Sequence, residues 1–216
     1  MSGIFQRARE PFSSYSHFMG AVGAAVGLVI MLARAVSQRA APATGISVAL
    51  FCLSLIALYS ASAVYHYSMR GEQVVRLLKK LDHSMIYVLI AGSYTPVVLR
   101  YMKMPDAWIF LAVIWGIAVV GIAIKLLWLD APRLPGTILY LAMGWAVVFR
   151  FDVVLAMPAP AITLLAIGGI SYTIGGIIYI LKRPNLSHIV GFHELFHLFV
   201  LAGSVAHYLM VFLYVL

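Results

Sequence analysis

Two histidines near the C-terminal end of the chain have a spacing that suits metal binding. His193 and His197 are four residues apart, so in a helix their side chains lie one turn apart on the same face. Imidazole is a common zinc ligand, and such a pair supplies two of the three protein ligands of a catalytic zinc site. The residues around the pair are mostly apolar, and polar side chains inside a membrane usually mark a functional site. The spacing therefore predicts a metal site whose other ligands come from elsewhere in the chain.

The composition indicates a protein with little mass outside a membrane. Of the 216 residues, 63% are hydrophobic and only 10% are charged, whereas a soluble domain has about 25% charged residues. The net charge of +8 does not indicate nucleic-acid binding, because the basic residues cluster between apolar segments. The single cysteine excludes an internal disulfide. We expect no cleaved signal peptide, because residues 1–16 lack a hydrophobic run.

Seven apolar segments are long enough to cross a bilayer, which takes about 20 residues. Short loops containing most of the prolines separate them, and we find no linker or internal repeat. The sequence therefore predicts an all-α polytopic membrane protein, with residues 1–216 forming one bundle of seven transmembrane helices. Gly23 and Gly27 give the first span a small-residue face that suits close helix packing. The predicted spans are approximately residues 17–35, 44–67, 82–99, 107–128, 136–156, 161–181 and 188–215.

The charges in the loops predict how the chain is oriented. Ten Lys and Arg residues lie in the N-terminus and in the loops after spans two, four and six, against five on the other side. Because basic residues remain on the cytoplasmic side, we expect a cytoplasmic N-terminus and an external C-terminus in the inner (plasma) membrane. Lys125, near the end of span four, is expected to snorkel to the inner surface.

Three spans place polar residues at a similar depth near the cytoplasmic side. Ser62 and His66 share one face at the end of span two, and Asp82 opens span three. If span seven starts at residue 188, His193 and His197 lie about 8 and 14 Å along its helix. This agreement in depth predicts one site that combines a serine, a carboxylate and three imidazoles.

Each residue also has a simpler explanation when it is considered alone. Asp82 could cap the third helix, where a carboxylate suits the positive end of the dipole. Ser62 could be a helix-packing residue, and His66 a hydrogen-bonded residue at a helix end. His207 lies about 15 Å beyond His197, which is too far for binding the same ion. Weaker ligand candidates on the cytoplasmic side are His17, His83 and His188.

The run from His193 to His197 also matches the H-E-x-x-H pattern of metalloproteases, in which the glutamate is the general base. Five residues are a weak signal in a chain that contains 7 histidines. An intramembrane protease with Glu194 as its general base is therefore an alternative. It is distinguished by whether Glu194 or Asp82 contacts the metal-bound water.

The whole chain resembles the hemolysin III family, the bacterial branch of the progestin and adipoQ receptors, in a superfamily that includes alkaline ceramidases. The resemblance is carried by Ser62-x-x-x-His66, by the Leu-Asp-His-Ser start of span three (81–84) and by the run 192–204 of span seven. It implies a zinc ion in the cytoplasmic leaflet of a seven-helix bundle. By position, the ligands would be His66, His193 and His197, Asp82 would hold the zinc-bound water, and Ser62 would lie beside it. Glu194 departs from the receptor branch, where this position is not a required acid.

The resemblance also implies an activity, because related receptors and ceramidases have, or are proposed to have, lipid amide hydrolase activity. We therefore expect a zinc-dependent hydrolase of lipid amide or ester bonds, with Asp82 as general base and Ser62 as hydrogen-bond donor. The expected partners are membrane lipids, including a ceramide-like or other acyl lipid, and no nucleic acid. One alternative is a non-enzymatic sensor or regulator of membrane-lipid homeostasis whose zinc only staples helices together. A second alternative is a cytolytic protein. A third is an ion transporter, but the outer half of the predicted bundle has few polar residues that could continue an ion path.

Overall fold

All regular secondary structure is helical in the computed structural model, which describes residues 5–128, 133–187 and 190–216. Short 3-10 helices cover Phe5–Arg7 and Ala146–Phe149. The predicted all-α fold class is confirmed for the described residues. The α-helices are α1 (Pro11–Ser37), α2 (Pro42–Tyr67), α3 (Glu72–Tyr101), α4 (Asp106–Leu127), α5 (Arg133–Gly144), α6 (Phe151–Ala156), α7 (Ala159–Leu181) and α8 (Phe192–Tyr214).

Five of these helices are long and apolar enough to cross a membrane, namely α1, α2, α4, α7 and α8. The shortest of them, α4, has 22 residues, and a bilayer core needs about 20. They correspond to predicted spans one, two, four, six and seven. The structure differs from the prediction at the third and fifth predicted spans.

The third predicted span is part of a longer helix, α3, which begins at Glu72 rather than at Asp82. The proposed capping role of Asp82 is therefore wrong, because Asp82 lies in the interior of the helix. α3 contacts α2, α4, α5, α6 and α8, so it is the central helix of the described structure. Its buried polar side chains, which include Asp82 and Thr95, are thereby shielded from lipid.

The fifth predicted span is not one continuous helix, because α5 ends at Gly144 and α6 begins at Phe151. The hydroxyl of Tyr94 on α3 compensates for the break. It lies 2.7 Å from the carbonyl oxygen of Gly144 and 3.0 Å from that of Met143, and it accepts the N–H of Val147 at 3.0 Å. Away from water, backbone groups freed by a break need such partners. The prediction of a single helix failed because these partners come from another part of the chain.

The packing of the helices brings the two ends of the chain together. The first four helices pack each against the next, α7 packs on α8, and α1 also contacts α8. The N-terminal end of α1 therefore lies beside both the C-terminal end of α2 and the N-terminal end of α8, as hydrogen bonds from Glu10 to His66 and from Ser13 to Glu194 show.

Candidate metal centre

Three histidines from two helices form a compact cluster. His66 lies in the last turn of α2, whereas His193 and His197 lie in the first two turns of α8. One ring nitrogen from each of the three lies within 4.8 Å of the other two. His66 and His197 are buried, and His193 is half-buried. Because α8 begins at Phe192, both of its histidines lie closer to the helix start than the predicted 8 and 14 Å, and residue 188 is outside the described residues.

One of the separations between these nitrogens matches that of a tetrahedral metal site. The Nε2 atoms of His66 and His193 lie 3.4 Å apart. A tetrahedral zinc ion with bonds of about 2.0–2.1 Å holds two ligand nitrogens about 3.3 Å apart. Asp82 does not belong to the group of ligand atoms, which contains three imidazoles and no carboxylate among the described residues. Three imidazoles would leave the fourth position of a tetrahedral zinc ion to a non-protein ligand, as in catalytic zinc sites.

Glu10 fixes the orientation of His66, a contact that was not predicted from the sequence. The Nδ1–H of His66 donates to Oε2 of Glu10 at 2.6 Å, and the backbone N–H of Glu10 donates to the carbonyl of His66 at 3.0 Å. Partial burial raises the pKa of the Glu10 carboxyl, but the hydrogen bond and the charges of His66, His193 and Arg9 lower it further, to about 2. A carboxylate on Nδ1 leaves Nε2 of a neutral His66 available as a ligand, and this is a common arrangement around zinc-binding histidines.

Glu10 belongs to a polar stripe at the start of α1. Its other members are Ser13, Ser14 and His17, which follow at helical spacing. Ser14 donates to the carbonyl of Ala63 on α2 at 3.0 Å, and the ring of His17 stacks on His197 with centroids 3.7 Å apart. A polar face on a helix that enters a membrane must be turned towards protein. This periodicity is the signal that could have identified the stripe from the sequence.

Glu194 has a structural position at the start of α8. Its Oε2 accepts the backbone N–H of Gly191 at 3.0 Å, which caps the helix, and its Oε1 accepts the hydroxyl of Ser13 at 3.1 Å. Both carboxylate oxygens are thus engaged in holding α8 and α1 together. This arrangement gives the H-E-x-x-H interpretation of the sequence no geometric support.

Ser62 and Asp82 lie close together beside the histidines. Both are buried, and the Ser62 side chain is near enough to interact with the carboxylate of Asp82. The pair lines a cavity that also includes His193 and His197. The cavity continues between the helices along apolar side chains. The apolar residues that line it include Leu89, Val97, Val200 and Met210.

The remaining histidines lie outside the cluster. His17 stacks on it without contributing a ligand atom, and His83 lines the cavity. His207 lies at the far end of the cavity, with its Nε2 3.4 Å from the carbonyl oxygen of Leu165. Lys125 also differs from expectation, because it is only 6% exposed and lines the cavity instead of snorkelling to the surface.

Comparison with known proteins places this architecture in a family. The family described as "Haemolysin-III related" matches residues 5–208. The chain is 32% identical to the "Hemolysin-3" of Bacillus cereus, over 100% of this chain and 96% of the relative. It is also 32% identical to the "Hemolysin-3 homolog" of Bacillus subtilis (strain 168), over 98% of this chain and 96% of the relative. With its five apolar helices, it is a multi-pass membrane protein. The chain belongs to the haemolysin-III-related family.

Proposed function

We propose that the protein is a zinc-dependent hydrolase of lipid amide or ester bonds that acts from the cytoplasmic leaflet. The observation that carries the proposal is one cavity that joins a three-imidazole cluster, a buried serine–aspartate pair and a long apolar wall. Along α8, the part of the cavity from His197 to Met210 extends about 20 Å at 1.5 Å per residue. Such apolar walls with a few convergent polar groups are typical of a ligand site, and they suit an acyl chain.

The chain's own residues would divide the reaction between them. His66, His193 and His197 would hold the ion, while Glu10 keeps His66 in the required orientation. Bound zinc would supply Lewis-acid chemistry, polarising a carbonyl group and lowering the pKa of water to about 7. Asp82 would take a proton from the water that attacks the acyl carbon, and would pass it to the leaving nitrogen or oxygen as that bond breaks. Ser62, which lies close to Asp82, would orient that carboxylate by donating a hydrogen bond to it.

A second candidate is a membrane sensor in which zinc only staples helices. It is favoured by the contacts of the cluster with three helices, because Glu10 joins α1 to His66 on α2, next to both histidines of α8. The open fourth position favours the hydrolase, since structural zinc sites normally have four protein ligands.

Metal content and turnover, measured on the same purified samples, separate these functions. The substrates are an acyl amide and an acyl ester that carry the same acyl chain. Asp82→Asn and Ser62→Ala should retain most of the metal and lose turnover, roughly 100-fold or more for the general base. Glu194→Gln should reduce turnover less than Asp82→Asn, and the reverse ranking would favour the protease.

The histidine variants provide the ligand test. Metal content should fall well below one ion per chain in His66→Ala, His193→Ala and His197→Ala. It should stay near one in the control variants His83→Ala and His207→Ala. If zinc is only a staple, the ligand variants should melt earlier, while Asp82→Asn changes neither metal content nor stability. Full metal occupancy in both His193→Ala and His197→Ala would disprove the site.

A further inference from the structure

The proposed chemistry does not use Lys125, which is the one buried lysine among the described residues. It is 6% exposed, near the C-terminal end of α4, and it lines the same cavity as Ser62 and Asp82. Lysines are almost never fully buried without a partner. Across the described parts of the chain, no carboxylate lies within ion-pair distance of its ammonium group. Its ammonium group therefore lines the cavity without direct contact to a carboxylate of those residues.

The surroundings of Lys125 leave room for its ammonium group. A Cβ atom at Gly136, on α5, would lie only 2.8 Å from Nζ of Lys125, so the lack of a side chain there provides the space. Lys79, on α3 and one turn before Asp82, lines the cavity too and is close enough for the two ammonium groups to repel each other. An anion bound between them would relieve that repulsion.

Stabilising the C-terminus of α4 is the simplest structural role for Lys125, because cations are favourable there. A different lysine provides that contact. Nζ of Lys80 donates to the carbonyl oxygen of Leu126 at 2.6 Å, in the last turn of α4. The position of Lys125 inside the cavity is therefore not explained by the end of its own helix.

We propose that Lys125, together with Lys79, binds the anionic group of an acyl lipid whose chain occupies the apolar part of the cavity. The anion is either a headgroup phosphate or a fatty-acid carboxylate, since both offer the oxygen atoms that an ammonium group binds. The inference rests on the proposed function only in placing an acyl lipid in the cavity, and it requires no turnover. It gives the cavity a specificity for anionic over neutral lipids.

Binding of three amphiphiles with the same chain tests this inference. The probes are dodecylphosphonate, dodecanoate and dodecanol, which contain no amide or ester, and native mass spectrometry of the full chain in a neutral detergent measures their retention. At least one anionic probe should bind about tenfold or more tightly than dodecanol. A preference for the phosphonate identifies a headgroup phosphate, and a preference for dodecanoate identifies a fatty-acid carboxylate. Equal binding of all three probes would overturn the inference.

Matched variants locate the charge that is responsible. Lys125→Gln should abolish the preference, Lys125→Arg should preserve it, and Lys80→Gln, which removes a nearby charge that does not line the cavity, should leave it intact. Equal losses in Lys125→Gln and Lys80→Gln would mean that surface charge alone attracts the anions, which refutes the site. If Lys125→Gln does not fold, Gly136→Ala keeps every charge and displaces the ammonium group, so it should weaken the anionic probe selectively.

The same measurements distinguish this inference from the hydrolase. A protein that prefers the anions but cleaves no acyl amide or ester disproves the hydrolase and supports the lipid site. A protein that cleaves its substrates without any anion preference disproves the lipid site alone.

Discussion

Among the individual residues, the contact between Glu10 and His66 has the clearest chemical consequence. A carboxylate that accepts Nδ1–H fixes both the tautomer and the ring orientation of a histidine ligand. The ring of His66 is buried, and its Nε2 lies 3.4 Å from the corresponding atom of His193. Glu10, just before α1, thus supports the candidate metal centre, although none of the three imidazoles comes from the described residues before α1.

Glu10→Gln should weaken zinc binding by about 10- to 100-fold, because it removes the negative charge that stabilises the required form of His66. Competition with a chelator of known affinity measures the change. Glu72→Gln, which alters an exposed acid at the start of α3, is the matched control and should leave the affinity unchanged. An unchanged affinity in Glu10→Gln would mean that the hydrogen bond does not support the ligand.

At the level of helices, only one of the two α1 glycines that the sequence indicated, Gly27, lies at a close approach to α8. A Cβ atom at Gly27 would lie 2.6 Å from the ring of Tyr208, whose hydroxyl donates to the carbonyl of Gly27 at 3.0 Å. A Cβ atom at Gly23 would meet nothing within 4 Å. The small-residue face predicted for the first span therefore packs at Gly27 and is open at Gly23.

Gly27→Ala should destabilise the protein by roughly 1–3 kcal/mol, because the added methyl group overpacks the contact between the two helices. Gly23→Ala, on the same helix, should be neutral or stabilising by up to about 1 kcal/mol, since alanine favours a helix. Denaturant unfolding of both variants in one detergent measures the difference. Equal effects of the two substitutions would contradict the packing described for α1 and α8.

For the whole molecule, the orientation in the membrane decides which leaflet the candidate metal centre faces. The end of α2 and the starts of α1 and α8 meet at one end of the molecule, where the three histidines cluster. Lys125 is buried, so it can be left out of the charge count. The predicted cytoplasmic side still has the excess of basic residues without it.

Reporter fusions should place residues 70–80 in the cytoplasm and Leu216 outside, because positively charged loops remain on the cytoplasmic side. A phosphatase that is active only outside the cytoplasm and a fluorescent protein that folds only inside it provide complementary signals at each fusion point. A cytoplasmic Leu216 would contradict the orientation, and with it the claim that the site opens to the inner leaflet.

Local features of the sequence determined the helical class, the five strongly apolar helices and the two pairs of site residues four positions apart on α2 and α8. These features depend on hydrophobicity and on the repeat of a helix, which neighbouring residues define. The sequence also predicted that Ser62, Asp82 and the three histidines form one site, because they lie at a similar depth in their predicted spans. The folded chain brings His66, His193 and His197 together as a candidate metal group.

The tertiary structure alone decided which residues distant in the sequence become partners in hydrogen bonds and packing. Glu10 meets His66 across 56 positions, and Tyr94 compensates for a break in the helix near Gly144 across 50. Lys125 lies inside the cavity because Gly136, from another helix, leaves space for it. In a membrane each buried polar group needs a partner, but the sequence does not state which helix supplies it. Those partners are set by how the helices pack, which is why the supporting residues of the site were found only in the folded chain.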